Sequence, residues 1–285
     1  MSRIVYLNGE YLPEDEAKVS VFDRGFLFAD AVYEVTSVLE GKIIAFDGHV
    51  KRLQRSCDEL GITYTVDEDS LLDVHRELVK RNDLSEGMIY LQLTRGNPGD
   101  RDFAYPPEDT PVTLVLFTQT ANLLENPKIK SGMKVITVED QRWARRDIKT
   151  TQLLFPSMAK MMAKAEGVDD AWMFEDGAIT EGSSNNAYIV KGGKIITRHL
   201  GNEILHGITR EAVLKFAKMA QMEVEERAFT VQEARDADEA FITSASTFVM
   251  PVVEVDGQQL GDGTPGTVAA RLREIYLDES RKQAI

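Results

Sequence analysis

The sequence is poor in cysteine, in cationic charge and in long apolar runs. Its one cysteine, Cys57, has no partner in the chain for a disulfide, so the cytoplasm is the expected compartment. Lysines and arginines number 33 against 47 aspartates and glutamates, a net charge of −14. A field of that sign repels phosphate backbones and anionic lipid, so neither nucleic acid nor a membrane is an expected partner. No apolar run approaches the roughly 18 residues that a membrane helix requires, and no cationic-apolar signal segment opens the chain. P-loop, GxSxG, HExxH and Cys/His zinc spacings are all missing, and His49, His75, His199 and His206 are dispersed. No metal is expected, and serine-hydrolase chemistry is disfavoured.

What is present is the make-up of a globular chain: 285 residues, 43% hydrophobic and 28% charged. That length exceeds the usual size of one core, so two domains are expected. The chain opens as a hairpin, Ile4 to Leu7 and Glu10 to Leu12 around Asn8-Gly9. β-Branched and aromatic residues mark a strand from Ala31 to Leu39, turning at Glu40-Gly41 into a partner from Lys42 to Phe46. Asp47 is expected to cap a helix with Val50, Leu53, Cys57 and Leu60 on one face and Gly61 past its end. A helix over 68–81 and strands over 88–94 and 112–118 follow. Periodicity lapses from Gln119 to Pro127. The reading is α+β: a small N-terminal domain over 1–120, a linker over 121–127 and a larger domain over 128–285. In the larger domain, strands over 134–138, 171–174, 187–190, 194–198 and 223–227 intersperse with helices over 153–166, 209–221 and 268–283.

Four polar constellations could carry chemistry. Gly207-Ile208-Thr209-Arg210 delivers the chain into a helix whose free N–H groups and Thr209 hydroxyl suit a phosphate, although threonine is also an everyday cap. Lys149, in Asp147-Ile148-Lys149-Thr150-Thr151, stands between an apolar stretch and a helix start, where partial burial would favour the free amine; a solvated surface lysine is the plain alternative. Glu181, before Gly182-Ser183-Ser184-Asn185-Asn186, could aim a carboxylate at a ring nitrogen, or could belong to a polar hairpin loop. Arg52, in the helix start His49-Val50-Lys51-Arg52, could reach an anion or simply face solvent.

Taken together and in order, these stretches resemble the fold-type IV aminotransferases that use pyridoxal 5′-phosphate, most of all the D-amino-acid aminotransferase branch. DRGFLFADAVYEV (23–35), GHVKRLQRS (48–56), YLQLTRG (90–96), RWARRDIKTTQLL (142–154), AITEGSSNNAYIV (178–190), ILHGITREAVL (204–214) and MPVVEVDG (250–257) carry the resemblance. It implies a two-domain fold and a transaminase that moves an amino group between a D-amino acid and pyruvate or 2-oxoglutarate. It implies that Lys149 bonds covalently to the cofactor and carries the proton, and that Glu181 keeps the ring nitrogen protonated. Arg52, with the Ile208 and Thr209 N–H groups, would bind the phosphate; Ser183 and Ser184 would line the cofactor, and Leu205 would pack on its ring. A homodimer with shared active sites is also implied, because Arg101 belongs to a loop that in the family reaches the neighbouring subunit.

The sequence departs from that pattern at two places. Ala245 stands where the family has a phosphate-binding threonine, so Ser244 or Ser246 is expected to supply the hydroxyl. Tyr33 and Arg101 match the substrate-carboxylate ligands, but Phe103 replaces the usual histidine beside Arg101. The looser grip this implies brings (R)-amines into the range of substrates. Branched-chain transamination and an aminodeoxychorismate lyase activity that eliminates pyruvate are the alternatives within the family.

Overall fold

The computed structural model describes residues 2–285. The chain forms two compact units. One holds the residues up to Asn122 together with Ile148–Gln152 and Gln283–Ile285; the other holds Leu123–Asp147 and Leu153–Lys282.

In the first unit, β1 (Ile4–Leu7), β2 (Glu10–Pro13), α1 (Arg24–Phe28), β3 (Ala31–Leu39) and β4 (Lys42–Ile43) precede α2 (Phe46–Leu60) and α3 (Glu68–Arg81). Strands β5 (Glu86–Thr94) and β6 (Thr113–Thr120) then complete a sheet in the order β2-β1-β6-β5-β3-β4, antiparallel throughout. Helix α2 packs on β3, and its Val50, Leu53 and Cys57 are buried while Leu60 is half-buried. Asp47 does not cap this helix. The cap is Ala45, whose φ of 53° brings β4 to an early end and sends the chain directly into the helix, so Asp47 falls in the first turn. There its charge still complements the helix dipole.

The second unit contains α4 (Lys128–Ser131), β7 (Met133–Glu139), α5 (Leu154–Ala165), β8 (Asp170–Glu175), β9 (Ala178–Gly182), β10 (Asn186–Lys191) and β11 (Lys194–Thr197). These are followed by α6 (Ile208–Met219), β12 (Val224–Glu226), α7 (Val231–Arg235), β13 (Glu239–Ser244), β14 (Phe248–Val255), β15 (Gln258–Gln259) and α8 (Thr267–Gln283). Its sheet runs β12-β11-β10-β13-β14-β7-β8-β9, with β15 attached to β14. Pairings β11–β12, β14–β7 and β7–β8 are parallel and the rest antiparallel. Trp172, Ile179, Phe229, Ile242 and Met250 are fully buried in its core. Strands β9, β13 and β14 lie outside the sequence expectations. β13 and β14 are buried over nearly their whole length, so they lack the alternation that reveals a half-exposed strand.

Candidate active site

In the first unit Lys149 meets Tyr33 at β3, while Arg52 lies on α2, which packs on that strand. Strand β4 pairs only with Val38 and Leu39, which leaves the other end of β3 an open edge. Residues 149–151 fill it: Tyr33 N donates to Lys149 O at 3.0 Å, Thr151 N donates to Ala31 O at 3.1 Å, and Val32 pairs with Thr150. The Lys149 backbone is thereby pinned while its side chain stays uncommitted. Its Nζ lies 4.1 Å from the centre of the Tyr33 ring and has no hydrogen bond or ion pair among the described residues. The Tyr33 ring itself stacks on Tyr90, centroids 5.6 Å apart.

Alternation along β3 turns Glu34 to the face that α2 covers. Arg52 donates from Nε to Glu34 Oε1 at 2.8 Å and from Nη2 to Oε2 at 2.7 Å, and His49 Nδ1 donates to Oε2 at 2.7 Å. A carboxylate only accepts, so the ring proton of His49 sits on Nδ1. All three side chains are buried. Burial by itself would raise the Glu34 carboxyl, but the Arg52 charge and the hydrogen bonds outweigh it and hold the group at about 2. Burial also keeps His49 below the usual imidazole range, against the pull of Glu34. Arg52 is therefore no solvated arginine; its guanidinium is oriented from beneath by Glu34.

In the second unit, the turn Asp176-Gly177, with both φ angles positive, folds β8 back into β9. Glu181 thus sits on a strand rather than in a loop, and it is 4% exposed. Arg142 Nη1 donates to its Oε1 at 2.6 Å, while Asn186 Nδ2 and Leu205 N each donate to Oε2 at 3.0 Å. Leu205 O in turn accepts from Asn186 Nδ2 at 3.0 Å, which fixes the loop entering α6. That helix begins after Gly207 with no side-chain cap, so its first N–H groups, including those of Ile208 and Thr209, have no partner within the helix. A Cβ at Gly207 would collide with Asn186 Oδ1.

Other expected residues are placed differently. The Ser183 hydroxyl donates to the fully buried Asp170 at 2.5 Å, holding the Gly-Ser-Ser-Asn turn from inside, whereas Ser184 is exposed. Ser244 Oγ accepts from Thr247 N at 3.1 Å and pairs with the Ser246 and Thr247 hydroxyls at 3.1 and 2.7 Å, building the β13–β14 turn. Arg101, exposed on the loop between β5 and β6, stacks on Phe28 and Phe103 at 4.9 and 4.8 Å. Arg142, Arg145 and Arg146 are each paired to carboxylates, with Asp140 and Glu181, with Asp147, and with Glu175 respectively.

Sequence reading missed Glu34, His49, Asp140, Arg142 and Asn186. A signal existed for the first two. Glu34 is the only charge in the strand Ala31 to Leu39, on its buried face, and His49 and Arg52 are spaced to share one side of α2.

Each unit by itself offers groups that suit pyridoxal 5′-phosphate: the first an unpaired amine at Lys149, the second a buried carboxylate at Glu181 and an uncapped helix start with N–H groups for a phosphate. Residues 31–255 match the family model for amino-transferase class IV. The chain is 37% identical over 272 residues to a D-alanine aminotransferase of Staphylococcus aureus (strain MSSA476), covering 95% of this chain and 96% of that one. It is 37% identical over 285 residues to a D-alanine aminotransferase of Bacillus licheniformis, covering 98% and 99%. Among solved structures, the T.th. branched-chain amino acid aminotransferase with pyridoxamine 5′-phosphate superposes with a TM-score of 0.88 at 28% identity, covering 99% of this chain and 95% of that one. The Escherichia coli branched-chain amino acid aminotransferase gives 0.88 at 23% identity, covering 98% and 95%, a likeness of fold. The chain belongs to the class IV aminotransferases, whose cofactor is pyridoxal phosphate.

Proposed function

We propose that this aminotransferase moves an amino group between a D-amino acid, D-alanine foremost, and pyruvate or 2-oxoglutarate. The observation that carries the chemistry is the uncommitted Lys149 amine on a backbone pinned to β3. The full-length likeness to D-alanine aminotransferases supports the choice of substrate.

Bound pyridoxal phosphate supplies an electron-accepting ring that takes the electron pair left when a proton leaves the donor's α-carbon. The Lys149 amine attaches the cofactor and then, as general base and acid, carries that proton. The Glu181 carboxylate holds a proton on the ring nitrogen. Arg52, braced by Glu34, and the Ile208 and Thr209 N–H groups hold the phosphate. Leu205 packs on the ring, and the exposed Ser184 lines its surroundings; the Ser183 hydroxyl, committed to Asp170, acts through the shape of its turn. Ser244 serves the phosphate through its turn. Tyr33 and Arg101 bind the substrate carboxylate.

A homodimer with shared sites completes this reading, supported by exposed apolar surface on each unit: Phe26, Phe103 and Tyr105 on the first, and Leu154, Met158 and Met161 along α5 on the second. The cytoplasm is the proposed compartment, on the strength of the lone buried thiol Cys57. The branched-chain reading remains as the second, favoured by solved relatives that are branched-chain enzymes. Rates with D-alanine, L-leucine and an (R)-amine under identical conditions discriminate the readings. D-alanine is expected to be fastest, and L-leucine in first place would overturn the assignment.

A further inference from the structure

Behind Glu181 stand two charges that the catalytic assignment leaves unused, Asp140 and Arg142. Asp140, immediately after β7, grips Arg142 at two points, accepting from Nε at 3.0 Å and from Nη2 at 2.7 Å. The Thr180 hydroxyl adds a donor to Asp140 at 2.8 Å, and Arg146 Nε approaches it at 3.6 Å. With two arms committed, Arg142 cannot swing; its Nη1 is delivered to Glu181 Oε1 at 2.6 Å. The other Glu181 oxygen is filled by Asn186 and Leu205.

Three donors, one of them a cation, make a carboxylate a poorer proton acceptor. When such a carboxylate faces a ring nitrogen, the proton between them rests on the nitrogen. An unbraced, buried carboxylate is the stronger base and draws the proton to oxygen. Asp140 also limits what Arg142 does to its surroundings. Asp140, Arg142 and Glu181 together retain one net negative charge, so the group remains attractive to a protonated ring. Burial opposes ionisation of Asp140, but the Arg142 and Thr180 hydrogen bonds keep its carboxyl below the ordinary range, so the grip persists at neutral pH.

We propose that Arg142, locked by Asp140, is a positioning residue that decides which atom, the cofactor's ring nitrogen or Glu181 Oε, carries the shared proton. The proposal rests on the reading that Glu181 faces the ring nitrogen.

The test is the nitrogen NMR shift of the holoenzyme loaded with ¹⁵N-labelled pyridoxal phosphate, measured beside the cofactor's dissociation constant. Wild type should show a protonated nitrogen. Arg142→Met and Arg142→Gln, two neutral replacements of different shape so that either suffices if the other fails to fold, should move the shift toward the neutral nitrogen. They should also weaken cofactor binding by about tenfold. Arg142→Lys, which restores the charge, should recover most of the protonated signal. A folded neutral variant with the wild-type nitrogen shift overturns the proposal if Glu181→Gln does move it, since Arg142 is then merely structural. If Glu181→Gln leaves the shift unchanged as well, the assignment of Glu181 is what fails.

Discussion

At the scale of single residues, the account depends on Lys149, Glu181 and Arg101, and each makes a separable prediction. Lys149 offers the free amine near Tyr33. Lys149→Ala should leave a folded protein that has lost both the visible absorption of the lysine-bound cofactor and transamination. Wild-type-like turnover in that variant is the adverse result. Glu181→Gln replaces a charged partner in a buried site. It should retain cofactor and lose about 30-fold to 1000-fold in kcat, read by steady-state kinetics. If Arg101 binds the substrate carboxylate as proposed, Arg101→Ala removes a charge-assisted contact, so kcat/KM for D-alanine should fall at least about tenfold while (R)-amines are little affected. Equal losses for the two substrate classes would place the carboxylate elsewhere. Arg142, Arg145 and Arg146 cannot take over that role without abandoning Asp140, Asp147 and Glu175.

At the scale of elements, the structure shows how strands and helices brace these residues. Glu34→Ala leaves Arg52 and His49 buried with no carboxylate between them. It should cost about 3 to 5 kcal/mol in denaturant-measured stability, and phosphate affinity should fall with it because Arg52 loses its orientation. Gly207→Ala has no backbone strain to overcome, with φ at −68°, but its Cβ meets Asn186 Oδ1. Displacing Asn186 should loosen both Glu181 and the start of α6, weakening cofactor binding more than it lowers the melting temperature. The elements themselves were legible to different degrees. The β3 strand and α2 announce themselves through β-branching and helical spacing. What the sequence hides is the placement of 149–151 on the β3 edge, since pairing across that separation has no local signature. The same holds for the inward hydroxyl of Ser183, which depends on Asp170, a residue distant enough that no periodicity connects the two. The motif order identified the family, but the bracing by Asp140 and Arg142 became visible only in three dimensions.

At the scale of the whole molecule, acid should destabilise the protein in two stages. His75, buried against Phe46 with its Nδ1 on Leu71 O, is pushed down by desolvation to about 4 from 6.5. The unfolded chain therefore takes up its proton first as pH falls. The corresponding stability is intact above about pH 6.5 and drains toward pH 4, by on the order of 3 kcal/mol. Glu34, held at about 2 instead of 4.5, adds a second loss between those values. Urea titrations across pH 3–8 should show both slopes in wild type, and His75→Leu should flatten the first. A chain of net charge −14 that nevertheless exposes large apolar side chains such as Phe26, Phe103 and Leu154 is expected to bury them against a second copy. Light scattering at micromolar concentration should return a dimer. The central claim, a lysine-dependent transaminase for D-amino acids, is tested most directly by one half-reaction. Holoenzyme is mixed with D-alanine in the absence of any keto acid, and pyruvate release and conversion to the pyridoxamine form are followed together. The account predicts one pyruvate per active site with D-alanine, far slower conversion with L-alanine or L-leucine, and none in Lys149→Ala. Faster conversion with an L-amino acid, or conversion that survives the loss of Lys149, would contradict it.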